Sequence, residues 1–395
     1  MASIASLRDL AAASSHWAPA IFALVAAFAV HALAMPLFRR ERLRGKHVFI
    51  TGGSKGIGLA LALEFVRRGC SVSVAARSPA ALAQALAELT ALAKSLGLSP
   101  SLQALSADTA SEAELAAALG AAEAAAGPVD VLVCCAGVAV PGLFVEQDVA
   151  VFQRQMEVNY LGSVRAVKCA LPGMLARGRG QVVLVASVVG FAGYASYAPT
   201  KWALRGLADC LHNEVSRSQE GAAPAGKAPV PKGRGLGGRP AAAANLSAPD
   251  ALTAFCGFLR RLQLQGTGVR ISVAYPPDTD TPGHAQENLT KPAICHAVNA
   301  ALGSQLFPAG RVAARMVGQL ERGAYHLNTP DPGSNLLISA MTGLAPKSVP
   351  TALGVLLAPV LQVVTTAFGA IADRAARRCN RERGYPPASG SGGAR

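Results

Sequence analysis

Tyr197 and Lys201, in the run Tyr197-Ala198-Pro199-Thr200-Lys201, open a long helical stretch. Positions i and i+4 share one face of a helix, so a phenol and an ammonium would meet there. The cation is expected to lower the normally high pKa of the phenol, making it a proton donor or acceptor near neutral pH. Such a pair also occurs by chance in many helices. It gains weight from Ser187, ten residues earlier at the end of a β-type run, and from a glycine-rich segment far upstream.

That segment is Thr51-Gly52-Gly53-Ser54-Lys55-Gly56-Ile57-Gly58, which follows the apolar run HVFIT and leads into the helical ALALEFVRRG. Strand, glycine turn and helix in this order form a dinucleotide cradle. Gly52 permits the sharp turn, Gly56 lets the backbone approach a pyrophosphate, and Gly58 lets the helix pack against the sheet. Ser54, Lys55 and Ile57 complete the candidate cofactor-binding run. The second strand ends in Val74-Ala75-Ala76-Arg77-Ser78, without the acidic residue that would bind a ribose 2′-hydroxyl. Arg77, with Lys55 from the glycine turn as a candidate second cation, can pair with a 2′-phosphate instead, which favours NADPH/NADP. The alternative is that Arg77 is a plain surface cation.

Elements to position these groups are legible between Lys46 and about Leu327. Strand candidates are 47–51, 71–75, 101–107, 129–134, 181–186 and 269–275, and Ala-rich crossover helices fill 79–96 and 111–126. Alternation of short β-rich and longer helical runs predicts an α/β, doubly wound parallel sheet, a Rossmann fold, with helices on both faces. A Gly/Pro/Ala-rich, basic stretch at 217–249 reads as a disordered insertion, because it buries too little apolar surface to offset chain entropy. The amphipathic run 250–264 is expected to pack on the domain, with contact to a membrane surface as the alternative.

The composition is 51% hydrophobic and only 15% charged. That is too apolar for an ordinary soluble chain. After an N-terminal tail at 1–16, residues 17–38 form an apolar run of about one bilayer width, a transmembrane anchor candidate. Five basic residues follow it within Arg39–Lys46 and only Arg8 precedes it, so the positive-inside rule places the following domain in the cytosol. Residues 335–372 are a C-terminal membrane-associated segment or hairpin, with 335–345 alternatively part of the soluble fold. A basic, disordered tail is expected over 373–395. The net charge of +14 sits largely beside these apolar runs, and no nucleic-acid-binding motif accompanies it. The eight cysteines lack metal-site spacing, so buried thiols in a reducing compartment are expected and no metal.

In motif, order and spacing, residues 46–327 resemble the short-chain dehydrogenase/reductase superfamily. The resemblance implies that Tyr197 protonates a substrate carbonyl oxygen, Ser187 hydrogen-bonds that oxygen, and Lys201 holds the nicotinamide ribose. Asn159, in Val158-Asn159-Tyr160, matches the residue that anchors a proton-relay water, and Asp108 the one that contacts adenine. Cys134-Cys135-Ala136-Gly137 stands where the superfamily has Asn-Asn-Ala-Gly; the small Ala136 and Gly137 are kept and the sheet-stabilising amides are lost. Thr279 and Thr281 match residues that meet the nicotinamide carboxamide.

The run from Tyr275-Pro276-Pro277-Asp278-Thr279 through Glu287-Asn288 to Thr290-Lys291-Pro292 is similar to the 3-ketodihydrosphingosine reductase family. Cys135–Val140 and Ala203–Ala208 are similar to the same family. What this implies is reduction of a long-chain sphingoid ketone, 3-ketodihydrosphingosine, by NADPH at the endoplasmic reticulum membrane, with the domain facing the cytosol and homo-oligomers common. The rival readings are a steroid or 3-ketoacyl-CoA reductase, and a non-catalytic binding protein on the same fold. A lumenal orientation would be signalled by glycosylation at Asn245 or Asn288.

Overall fold

A computed structural model describes residues 42–187, 194–217, 268–328, 330, 331, 335, 338 and 358–383. The chain divides into two compact units, Arg39–Asn213 with Gly268–Arg395, and Met1–Phe38 with Glu214–Thr267. Of the second, only the end of one helix is described, so the architecture below is that of the first. The anchor candidate 17–38, the insertion 218–249 and the run 250–264 lie outside the described residues.

In chain order the elements are β1 (His47–Thr51), α1 (Gly56–Arg67), β2 (Ser71–Ala76), α2 (Pro79–Ser95), β3 (Leu102–Ser106), α3 (Glu112–Ala126), β4 (Val131–Cys134) and α4 (Val149–Met156). A π-helical turn, Glu157–Leu161, joins α4 to α5 (Gly162–Ala176). Then follow β5 (Gly180–Val185), α6 (Ala198–Arg217), β6 (Val269–Ala274), β7 (Thr279–Asp280), α7 (Pro282–Asn288), α8 (Ala293–Ala301), β8 (Phe307–Pro308), α9 (Ala309–Leu320), β9 (His326–Leu327) and α10 (Ala358–Arg383). Strand order is β3-β2-β1-β4-β5-β6-β9, all parallel, and β7 pairs with β8 apart from the main sheet. The Rossmann-like sheet expected from the sequence is therefore present. Its seventh strand was not expected, because β9 contributes only two residues and two residues carry no periodicity.

Both faces of such a sheet are covered, so its strands are apolar throughout. Val48, Ile50, Val72, Val74, Val131, Val133, Val183 and Val185 point to one face and meet Leu61 and Phe65 of α1 and Met316 and Leu320 of α9. On the other face α5 lies against β4 and β5, and α3 against β1 to β3. The strand order reverses between β1 and β4, and a crevice lies at the carboxyl ends of these strands.

The C-terminal stretch differs from expectation. Residues 373–383, read as the start of a disordered tail, are the second half of α10. Ala376 and Cys379, one turn apart, pack on Ala293, Ile294, Cys295 and Ala297 of α8, while Arg377 and Arg378 stay in solvent. Small side chains on one stripe let the two helices approach, and Asp373–Arg377 and Arg378–Glu382 pairs at helical spacing support the outer face. The basic composition concealed this narrow stripe. Among the described residues no helix is long and apolar enough to cross a membrane.

His47 begins β1 and is buried, with Nδ1 at 2.6 Å from the Gly127 carbonyl and Nε2 at 2.9 Å from the Ser73 hydroxyl. Burial lowers its pKa below the ordinary value of 6.5, against the pull of the Gly127 carbonyl and Asp130. The folded state therefore binds a proton less readily than the unfolded chain, and stability held above pH 6.5 is lost as pH falls below it. Thermal unfolding is expected to move to lower temperature between about pH 6.5 and pH 5. The shift should shrink in His47→Gln, which does not titrate.

Candidate active site

The crevice is built from close backbone approaches. Gly52 has φ +69° and donates its N–H to the Ala75 carbonyl at 2.7 Å. A Cβ there would lie 2.7 Å from Ala136 Cα, and one on Gly58 would lie 2.2 Å from the Gly52 carbonyl oxygen. Neither residue can carry a side chain while the turn keeps this shape. Thr51, the last residue of β1, fastens the two loops together: its hydroxyl accepts the N–H groups of Cys135 at 3.2 Å and Ala136 at 3.3 Å. Cys134 is buried and Cys135 half-buried, and withdrawal from water pushes the Cys135 thiol up to about 11 and Cys134 further.

The crevice has a volume of about 440 Å³, and Lys55, Gly56, Ser187, Tyr197, Lys201 and Thr281 are among its lining residues. Tyr197 occupies the turn immediately before α6 and is hydrogen-bonded to the Ser187 side chain. Lys201, one turn into α6, is 5% exposed, and its ammonium donates to the Val185 carbonyl at 3.0 Å. Nζ lies 5.7 Å from the centroid of the Tyr197 ring. Three groups separated by up to fourteen positions in sequence are thus brought together by the end of β5 and the start of α6.

Their electrostatics correct one expectation. The Tyr197 phenol is held above its ordinary value, first by burial and then by the negative charge of Glu287, with the Ser187 hydrogen bond acting weakly in the other direction. Lys201 does not overcome this, since burial lowers its own pKa to about 8. The phenol is therefore protonated near neutral pH. That is the state required of a proton donor.

Asn159 lies on the π turn and is wholly buried. Its amide oxygen accepts the Val138 N–H at 2.8 Å, while the amide nitrogen donates to the Val138 carbonyl and the Thr200 hydroxyl, each at 2.9 Å. It holds the loop after β4 against α6 and does not itself line the crevice. A helix with an inserted residue turns this side chain toward the loop, a use typical of π turns. Thr279 lines the crevice with its hydroxyl donating to the Pro277 carbonyl at 2.7 Å. Thr281 caps α7 through the His284 N–H and faces Gly56. Ser54, Arg77 and Asp108 lie outside the central crevice; Arg77 is exposed just after β2, and Asp108 caps the turn before α3 through the Ala110 N–H at 3.0 Å.

Two groups near the site were missed. Gln155 is buried and bridges the Ser196 hydroxyl at 2.7 Å to the Val140 backbone. Glu287 accepts from the Tyr194 hydroxyl and pairs with Lys291 at 3.2 Å. The i,i+4 spacing of Glu287 and Lys291 was visible, but nothing in sequence places Tyr194 beside them.

A doubly wound sheet with a glycine turn at its reversal and Ser187, Tyr197 and Lys201 at one end is the architecture of the short-chain dehydrogenases. The sequence model of the short chain dehydrogenase family matches residues 46–219. The 3-ketodihydrosphingosine reductase of Dictyostelium discoideum is 30% identical over 362 residues, covering 87% of this chain and 91% of that relative. The 3-ketodihydrosphingosine reductase of Bos taurus is 30% identical over 308 residues, covering 77% and 76%. The chain belongs to the 3-ketodihydrosphingosine reductase family of the short-chain dehydrogenases. The fold is shared with an actinorhodin polyketide ketoreductase crystallised with NADPH, at TM-score 0.51, 23% identity and coverage of 73% of this chain and 91% of that one. It is shared likewise with levodione reductase, at TM-score 0.52, 20% identity and coverage of 71% and 91%.

Asn159→Asp tests the loop clamp. The carboxylate keeps the Val138 N–H but cannot donate to the Val138 carbonyl or Thr200, and it buries a charge. Unfolding in urea should show a loss of about 2–4 kcal/mol.

Proposed function

We propose that this chain reduces 3-ketodihydrosphingosine to dihydrosphingosine with NADPH. The observation that carries the chemistry is the Tyr197 phenol, hydrogen-bonded to Ser187 and set beside a glycine cradle in one crevice. The substrate reading is supported by similarity to 3-ketodihydrosphingosine reductases over 87% and 77% of the chain.

The residues present fit the cofactor. Side chains at Gly52 and Gly58 are excluded by the turn's own backbone, and Gly56, with φ +55°, offers bare backbone where a pyrophosphate would approach. No carboxylate follows β2, and the exposed Arg77 there would pair with a 2′-phosphate, as would Lys55 from the turn. When bound, NADPH supplies the hydride that reduces the ketone carbon. Tyr197 then donates its proton to the carbonyl oxygen as the C–O bond gains charge, and Ser187 donates a hydrogen bond to the same oxygen. Lys201 would hold the nicotinamide ribose, Thr279 and Thr281 the carboxamide, and Asp108 the adenine side. Asn159 would anchor a relay water through the loop it fixes. Ala136 and Gly137 keep the crevice floor clear, since a Cβ on Gly137 would come within 3.3 Å of Lys201 Nζ.

A lipid substrate also suits the surroundings. Beside the crevice a second cavity of about 480 Å³ lies between the 141–147 segment and the start of α8. Next to it Phe144 is 68% exposed and Val145 72%, an apolar rim that favours contact with alkyl chains or a bilayer. In this reading 46–330 is the catalytic domain carrying the 217–249 insertion, 17–38 anchors it in the endoplasmic reticulum membrane, and the basic Arg39–Lys46 run keeps it on the cytosolic side.

The test is NADPH oxidation by detergent-purified protein offered 3-ketodihydrosphingosine beside steroid and 3-ketoacyl-CoA ketones. Turnover of the sphingoid ketone in clear preference to the others is expected. Preference for another ketone would overturn the substrate while leaving the proton-donor chemistry intact.

A further inference from the structure

The Tyr194–Glu287–Lys291 group itself delivers neither the proton nor the hydride, yet it borders the reacting end of the crevice. Lys291 is 2% exposed by side chain, Glu287 16%, and Tyr194 is buried. Both recorded contacts of Glu287, from the Tyr194 hydroxyl and the Lys291 ammonium, fall on its Oε1. Among the described residues Oε2 has no such partner, and Glu287 lines the crevice together with Tyr197. The Tyr194 ring, whose hydroxyl meets Glu287, stands 6.0 Å from the Tyr197 ring between centroids. Lys291 lies 5.8 Å from the Tyr194 ring centroid and completes a rigid mount.

Resting on the substrate reading above, the ketone to be reduced carries an amino group on the carbon next to the carbonyl. That nitrogen is cationic near neutral pH and lies two bonds from the carbon that receives hydride. When the carbonyl oxygen sits at Tyr197 and Ser187, the ammonium must find a partner within a side chain's width of Tyr197. We infer that Glu287 is that partner: its Oε2 pairs with the substrate ammonium, while Tyr194 and Lys291 hold Oε1 and fix the carboxylate's direction. An isolated anion at the crevice wall would be costly to desolvate, and Lys291 keeps the empty site near neutral without occupying the second oxygen.

Asp278 is the other carboxylate lining the crevice. Its Oδ2 already accepts from Asn299 at 3.3 Å and Ser304 at 2.9 Å, tying the loop after β6 to the end of α8. Glu287 is favoured because its mount connects directly to Tyr194 and so to the catalytic turn.

The experiment compares two ketones of equal chain length, 3-ketodihydrosphingosine and the same 1-hydroxy-3-ketone lacking the amino group. The wild-type ratio of kcat/KM should favour the amino ketone by about 10- to 100-fold, as expected for a charged hydrogen bond. In Glu287→Gln, whose amide oxygen can still accept from Tyr194 and Lys291, that ratio should collapse toward one, mainly through KM. An equal loss on both ketones would mean that Glu287 is only a structural brace, and would overturn the inference. So would an unchanged ratio in Glu287→Gln, or its collapse in Asp278→Asn instead. A wild-type enzyme that turns over both ketones equally well would overturn ammonium recognition while leaving long-chain ketone reduction standing. Turnover of neither ketone would overturn the substrate reading, and this inference with it.

Discussion

Lys201 sits 5% exposed with its ammonium on the Val185 carbonyl, and the layout of the crevice answers to that buried charge. A cation removed from water must be met by fixed dipoles or shift its pKa, and here both occur, with the value lowered to about 8. To reach Val185 the lysine must project across the end of β5 beneath the loop that leaves β4. A Cβ on Gly137 would crowd both Asn159 Oδ1 and Lys201 Nζ at 3.3 Å, so the bare glycine eases the passage of the loop. Its backbone at Val138 is fixed by Asn159, which also binds the residue preceding Lys201, Thr200. The π turn, the small residues after β4 and the start of α6 thus form one mutually dependent unit. Tyr197 inherits its position from that unit.

The crevice divides its labour between two sides. Its floor, made of backbone and small residues leaving β1 and β4, suits a dinucleotide, whose recognition depends on close approach and a few charges. Its outer wall comes from the segment between β6 and α8, where Asp278, Glu287 and Lys291 are held by their own contacts. On the proposals above, cofactor binding common to the fold would belong to the first, and selection of a particular ketone to the second. On the proposed reading, a long alkyl chain would extend toward the exposed Phe144 and Val145.

Much of this was legible in sequence because it obeys local rules. The six longer strands, the glycine turn and the spacing of Tyr197 and Lys201 follow from periodicity and from sterics that act within a few residues. Harder to read were features set by contacts distant in sequence. Strand β9 is too short to signal, and α10 hides a small-residue stripe within an arginine-rich run. The direction of the Tyr197 shift was misread, because Lys201 was weighed at helical spacing while burial and Glu287, ninety positions away, dominate. Thr51 was visible as part of the turn, but its role depends on the β1–β4 adjacency that only the folded sheet supplies.

The central claim is that the protonated Tyr197 phenol is the proton donor in a crevice otherwise complete without it. Tyr197→Phe, which removes only the hydroxyl, isolates that claim when NADPH binding is followed by fluorescence and turnover by NADPH oxidation with 3-ketodihydrosphingosine. The account predicts NADPH affinity close to that of the unaltered protein with turnover lower by about 10²- to 10⁴-fold. Turnover within about tenfold of the unaltered protein, a loss smaller than general acid catalysis supplies, would contradict it and require another group to deliver the proton.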